Sequence, residues 1–272
     1  MNTEHSLEAL PHSEDGSRHY ENLAPSIWNP VGSTLAAAAD LVPGERVLDL
    51  CSGTGSSALP AAQEVGPEGR VVAVDRSPHL LAIAREKART LGLGNLETVA
   101  ADIRGYEPDE TPDAALLGLA VFLFEDPVQA LSGIRGMLGD ESRLVLSTWS
   151  KPGLEPVLEP FLKAAKRHNP GLSELDRPRA FRRIEHASDP ALMREDLHAA
   201  GFSRVDSSEI SFRFGLDGDL LWDFVLGTDL RSMLSPADSA VNARIRSDYA
   251  EQILTDDVVN FTGTIDLHVA RP

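Results

Sequence analysis

Cysteine is almost absent from this chain of 272 residues: Cys51 stands alone, so no intrachain disulfide framework can exist. One thiol and 8 histidines without H-x-x-H or H-E-x-x-H spacing offer no zinc set, and no metal is expected. Basic residues are scarce too, 25 Lys and Arg against 42 Asp and Glu for a net charge of −17. Binding a phosphate backbone needs a dense basic face, so nucleic acid is not expected as a partner. Long apolar runs are missing as well. The longest without a charge, Ala114–Phe124, falls well short of the roughly 20 residues a bilayer span requires, which leaves no membrane partner. The N-terminus is polar and acidic, the wrong chemistry for a secretory leader, and the expected location is the cytoplasm.

What is present centres on Arg46-Val-Leu-Asp-Leu-Cys-Ser-Gly-Thr-Gly-Ser-Ser-Ala-Leu59. An apolar run interrupted by one acid leads into a glycine-rich turn and then a helical pattern of small residues. Strand, tight loop and helix start follow, an arrangement that aims backbone N–H groups at a polar or anionic ligand.

Around that stretch, strands alternate with helical patterns. Strands are expected at 46–50, 70–75, 96–101, 113–120 and 143–149, with helices at about 55–65, 78–91 and 127–138 between them. Ser77-Pro78 supplies a cap and a first-turn proline. Such alternation implies right-handed βαβ units, an α/β fold with a doubly wound parallel sheet. Before it, Pro30 is expected to end a short helical turn and Ser33 to cap a helix running to Leu41. Residues 1–18 read as a mobile tail and 19–149 as the core. Residues 150–190, rich in proline, read as a cap insert. Residues 191–272 return to the core, with a capped helix after Asp189, strands at 202–214 and 259–270, and a helical insert at about 217–254.

The ligand of the loop has two candidates. Gly53-Thr-Gly55-Ser-Ser-Ala58 satisfies the dinucleotide fingerprint, and Asp75 follows at the spacing of a ribose-binding acid, so an NAD(P)-dependent oxidoreductase is one reading. Asp49 opposes it, because a carboxylate inside the first strand repels a diphosphate and attracts an ammonium. Asp102, ending the third strand, could accept from an adenine amine. The two late strands also replace the expected second mononucleotide half.

These residues resemble the class I S-adenosylmethionine-dependent methyltransferases, through Val47-Leu-Asp-Leu-Cys-Ser-Gly-Thr-Gly55, Val71-Val-Ala-Val-Asp75, Ala101-Asp102 and Leu144-Val-Leu-Ser-Thr-Trp149. The tail from Phe261 is similar to the ubiquinone/menaquinone-type small-molecule group. The resemblance implies a Rossmann-like sheet of seven strands with the last antiparallel, and a mostly helical cap from inserts after strands five and six. It implies S-adenosyl-L-methionine as cofactor, S-adenosyl-L-homocysteine as product and a small-molecule acceptor methylated on O, C or N. Carried over residue by residue, Asp49, Cys51, Ser52, Gly53, Thr54 and Gly55 would hold the methionine part. Asp75 and Arg76 would face the ribose and the adenine, Ala101, Asp102 and Ile103 the adenine edge. The Leu119-Ala120 backbone would face the sulfonium, with Tyr20 and Trp28 closing over the ligand. Cys51-Ser52 stands where many members carry Gly or Ala. Leu116–Phe124 lacks the polar and Pro-Pro-Tyr signature of base and glutamine methylation.

Each assignment has a plainer counterpart. Asp75 and Asp102 could be turn-forming acids, Cys51 a small buried hydrophobe, and Tyr20 and Trp28 packing residues. Phe181, Phe212, Phe214, Trp222, Phe224 and Leu226 read as core residues or as walls of an apolar acceptor pocket. Tyr20, His168 and His186 are the candidates for a catalytic base, each with a surface or packing role as its alternative, and His198 lies in the same region. A catalytically silent cofactor-binding partner subunit and a homodimer both remain open.

Overall fold

The computed structural model describes residues 13–272 apart from 152, 170, 171, 173–178, 237 and 254–257, with backbone alone at 179–182 and 258. Seven strands form one sheet in the order β3-β2-β1-β4-β5-β7-β6. These are β1 (Arg46–Leu50), β2 (Arg70–Asp75), β3 (Leu96–Ala100), β4 (Ala114–Gly118), β5 (Arg143–Trp149), β6 (Arg204–Asp217) and β7 (Val258–Arg271). The first five run parallel, and β7 is antiparallel to both β5 and β6, as expected. Strand order reverses between β1 and β4, where the chain leaves in opposite directions and opens a crevice at the carboxyl ends.

Before the sheet lie α1 (Glu14–Asn22) and α2 (Asn29–Ala38), joined by a π-helical turn at Ala24–Trp28. Helix α1 corrects the expected tail boundary: Ser13 caps it, accepting from the Gly16 N–H at 3.0 Å, so 14–18 are helical, while 1–12 lie outside the described residues. The expected start of α2 is also corrected. Pro30 opens the helix and Ser33 lies inside it, because a proline in the first turn removes only an N–H that has no helical partner.

Between strands come α3 (Ala58–Val65), α4 (Pro78–Thr90) and α5 (Pro127–Met137). Ser77 and Asp126 cap the last two, accepting from Leu80 and Gln129 N–H groups. The sheet separates two apolar layers, one holding Leu35, Val47, Val145 and Phe161 and the other Leu48, Leu117, Ile134 and Leu197.

The two inserts are α6 (Glu155–His168), α7 (Arg179–Ala187) and α8 (Pro190–Ala199) after β5, then α9 (Gly218–Leu226), a 3-10 turn at Asp229–Met233 and α10 (Ser239–Ile253) between β6 and β7. Helix α6 packs along α10, where the Tyr249 hydroxyl donates to the Val157 carbonyl at 2.8 Å. Helix α7 rests on the turn after β4, and α9 on α1. Strands β6 and β7 stay paired to Asp217 and Val258, beyond the last β5 pair at Trp149 and Ile265. That overhang extends about 20 Å past β5 at the usual rise per residue. Its Phe214 and Phe261 pack with Trp149 in the core, and Phe224 is buried too, so for these the packing reading holds. Phe212 and Trp222 are partly buried against the same layer, and the Phe181 side chain lies outside the described residues. No described helix is long and apolar enough to cross a membrane.

Candidate functional site

The two strands flanking the sheet reversal each end in a non-glycine residue with left-handed backbone, Cys51 (φ 55°) after β1 and Leu119 (φ 48°) after β4. This conformation is costly outside glycine and concentrates at functional sites. Hydrogen bonds hold both turns. Ser52 N–H donates to the Val74 carbonyl at 3.1 Å, and Leu119 N–H to both the carbonyl and the hydroxyl of Ser147 at 3.1 Å.

Asp49 is fully buried, with one carboxylate oxygen accepting from the Ser57 hydroxyl at 2.8 Å and the other without a partner. Burial, partly offset by the Ser57 bond and reinforced by Asp75, pushes its carboxyl up to about 7. Ser52 and Thr54 add two more buried hydroxyl oxygens without partners. Three orphaned polar atoms around one glycine loop are a large desolvation cost for a structural element, and a ligand with donors of its own would relieve it. Among the described residues the remaining orphans, Thr148, Asp266 and His268, lie on β5 and β7.

Asp75 ties the site together. Its two oxygens accept from the N–H groups of Gly53, at 2.9 Å, and Ser77, at 2.8 Å. The turn-forming role is therefore real. Asp102 caps the 3-10 turn Ile103–Gly105 and is gripped by Arg104, with Nε at 3.0 Å and Nη2 at 2.5 Å, while Arg76 Nε stands 3.7 Å away. The Arg104 bonds hold its carboxyl down to about 2. Ile103 is buried beside it, and Ala101 N–H donates to the Asp75 carbonyl at 3.0 Å.

Tyr20 covers this loop. A Cβ built on Gly53, whose φ is +55°, would come 3.3 Å from the Tyr20 hydroxyl. The ring stacks on Trp28 with centroids 4.9 Å apart, and the Trp28 indole N–H donates to the Tyr20 carbonyl at 2.9 Å. Burial and the charges of Asp75, Glu21 and Asp49 hold the phenol far above its ordinary range. The same forces keep Cys51 a thiol, as its plain reading requires.

Asp49, Cys51–Gly55, Asp75, Arg76, Ala101–Ile103 and Leu119-Ala120 thus stand at the ends of β1, β2, β3 and β4, with Tyr20 above. The two histidine candidates are not with them. His168 pairs with Asp248 of α10 at 3.1 Å and His186 with Asp196 of α8 at 2.8 Å, both as links between helices. His198 bonds the Phe202 carbonyl at 2.9 Å. Sequence reasoning missed Ser57 and Ser147. The signals were there: Ser57 sits at the N-cap position of α3, and Ser147 is a hydroxyl in an otherwise apolar strand segment.

Residues 41–188 match the family model described as a methyltransferase domain. The chain is 30% identical over 207 residues to the aklanonic acid methyltransferase DauC of Streptomyces sp. (strain C5), covering 72% of this chain and 91% of that protein. It is 34% identical over 116 residues to the ubiquinone/menaquinone biosynthesis C-methyltransferase UbiE of Pasteurella multocida (strain Pm70), spanning 42% of this chain and only 43% of that relative. The crystal structure of a putative methyltransferase from Bacillus halodurans C-125 shares the fold with a TM-score of 0.57 at 21% identity, over 88% of this chain and 97% of that one. The chain therefore belongs to the S-adenosylmethionine-dependent methyltransferases that act on small molecules.

Proposed function

We propose that this methyltransferase acts on an acidic oxygen of a small, largely apolar organic molecule. The observation that carries this reading is the reach of the likeness to the aklanonic acid methyltransferase. It extends over 207 residues and 91% of that relative, whereas the likeness to the C-methyltransferases spans 116 residues of one and 170 of another, 68% of the latter's length. Acceptor choice is made by the inserts around a shared cofactor core, so a likeness reaching beyond the core bears on the acceptor. The excess of acids supports a small molecule over nucleic acid.

In this reading the unpartnered oxygen of Asp49 takes the cofactor's ammonium, with Ser52, Thr54 and the Gly53–Gly55 backbone around the amino acid part. Asp75, at the end of β2, takes the ribose hydroxyls. Asp102 and the Ile103 backbone read the adenine edge beside Arg76, and Leu119-Ala120 faces the sulfonium. Tyr20 and Trp28 cover the ligand. When bound, S-adenosylmethionine supplies the activated methyl group. The protein's work is to align the acceptor and exclude water.

The test is transfer of isotope-labelled methyl to a panel of phenols, enols and carboxylic acids, with the linkage read by mass spectrometry. Label in ether or ester products supports the reading. Label only on carbon or nitrogen overturns it.

A further inference from the structure

We propose that Asp223 of α9 is a positioning residue of the cofactor site. Through His19 and Asn22 it holds Tyr20 over the glycine loop, so the insert between β6 and β7 helps set cofactor affinity. The proposal rests on the reading above, in which Tyr20 covers the bound cofactor.

The helix that carries Tyr20 has little to hold it in place by itself. Glu14–Asn22 contains no aliphatic side chain, and its buried residues are Gly16 and Ser17. A helix of 9 residues is too short to be stable alone in water, and without an apolar stripe it gains little from packing. Its position depends instead on polar contacts with its neighbours.

Those contacts converge on α9. One Asp223 oxygen stands 2.6 Å from His19 Nδ1, and the other accepts from the Asn22 amide at 2.9 Å. His19 and Asn22 lie on either side of Tyr20 in the chain, so one carboxylate grips α1 around the covering ring. The Asp223 side chain is 13% exposed and that of His19 25%, burial that strengthens the contact. Asp15 also accepts from Arg231 at 2.9 Å, but that pair is more exposed and holds less firmly. A tie to the core side runs through Glu21, which pairs with Lys87 of α4 at 3.0 Å.

Asp223 is itself firmly placed. Its neighbours Leu221, Phe224 and Val225 are buried in the core. Its carbonyl accepts from the Gly227 N–H at 2.8 Å, and Gly227 lies directly against the backbone of α1. A Cβ there would come 2.6 Å from the Tyr20 nitrogen and 2.8 Å from its Cα, an approach that only glycine permits. At the other end of the same residue, the Tyr20 hydroxyl lies 3.3 Å from the position of a Cβ on Gly53. Contact is therefore continuous from the insert, through Tyr20, to the loop.

The experiment measures S-adenosylhomocysteine affinity of the full chain by calorimetry, in a double-mutant cycle on Asp223→Ala and Tyr20→Ala. Asp223→Ala is expected to weaken binding roughly tenfold, the scale of one charge-assisted hydrogen bond. With Tyr20→Ala already present, the same substitution is expected to cost less than about twofold, because no ring is left to position. A residue acting by any other route would show the same loss in both backgrounds. Gly227→Ala removes no polar group and is expected to weaken binding as well, by displacing Tyr20. A thermal melt identifies folded variants, with His19→Ala replacing an Asp223→Ala that does not fold. Parent-like affinity of Asp223→Ala or Gly227→Ala, or equal losses with and without Tyr20, would each overturn the proposal. Unchanged affinity of Tyr20→Ala, or absence of binding by the parent, would instead overturn the reading on which it rests.

Discussion

The Ser57 hydroxyl donates to one carboxylate oxygen of Asp49 at 2.8 Å, and the other oxygen of that buried carboxylate has no partner. A buried carboxylate so placed weakens the ligand-free fold. In the folded chain Asp49 ionises at about 7, whereas in an unfolded chain it would do so near 3.9. Between those values the unfolded state holds fewer protons, so this group destabilises the fold increasingly as pH rises from about 4 to about 7. Asp49→Asn is expected to raise the melting stability of the ligand-free protein above pH 7 by about 1–2 kcal/mol, with the gain shrinking toward pH 4. Melts across pH check it; a loss of stability at pH 8 would contradict it.

In the proposed reading, the cofactor's ammonium pairs with ionised Asp49. Affinity for S-adenosylhomocysteine is expected to fall as pH drops through about 7, approaching tenfold per pH unit below it. In Asp49→Asn this dependence should disappear. Calorimetric titrations between pH 5.5 and 8 read both slopes, and an unchanged slope in the variant would assign the dependence to another group.

Gly53 carries φ +55° directly under the Tyr20 hydroxyl. Gly53→Ala is expected to cost about 1–2 kcal/mol of stability from the backbone alone. It should also push the ring outward and weaken cofactor binding. Tyr20→Phe keeps the stack on Trp28 and is expected to change binding far less. Denaturant melts and binding constants for the two variants check this, and a silent Gly53→Ala would contradict the close cover.

Asp75 and Asp102 should separate clearly. Asp75 joins two backbone segments, so Asp75→Ala is expected to lower both stability and cofactor affinity, the latter by at least roughly tenfold. Asp102 is a third exposed and already held by Arg104. Asp102→Asn is therefore expected to change affinity only a few-fold. Equal effects would show that Asp102 releases Arg104 to take the ligand.

Much of this site is written in local sequence. The alternation of strands and helices and the glycine loop are runs of adjacent residues with a recognisable pattern. Each of the three carboxylates lies in or just after a strand of that pattern, and the antiparallel end strand follows from the family resemblance. What escaped notice depends on distant contacts. Ser147 acts on Leu119 only because β4 and β5 pair in that register, and the pairing of His168 arises when helices from separate inserts meet. Pro30 misled because a proline can open a helix as well as end one, and the π-helical turn before it leaves no punctuation in the chain.

The claim that Asp49 recognises the amino acid end of the cofactor is tested most directly by calorimetry with two ligands on two proteins. S-adenosylhomocysteine carries the ammonium, and methylthioadenosine shares its nucleoside but lacks the amino acid. The parent should bind S-adenosylhomocysteine at least roughly tenfold tighter than Asp49→Asn does, while methylthioadenosine binds both proteins alike. Equal S-adenosylhomocysteine affinity in the two proteins would contradict it.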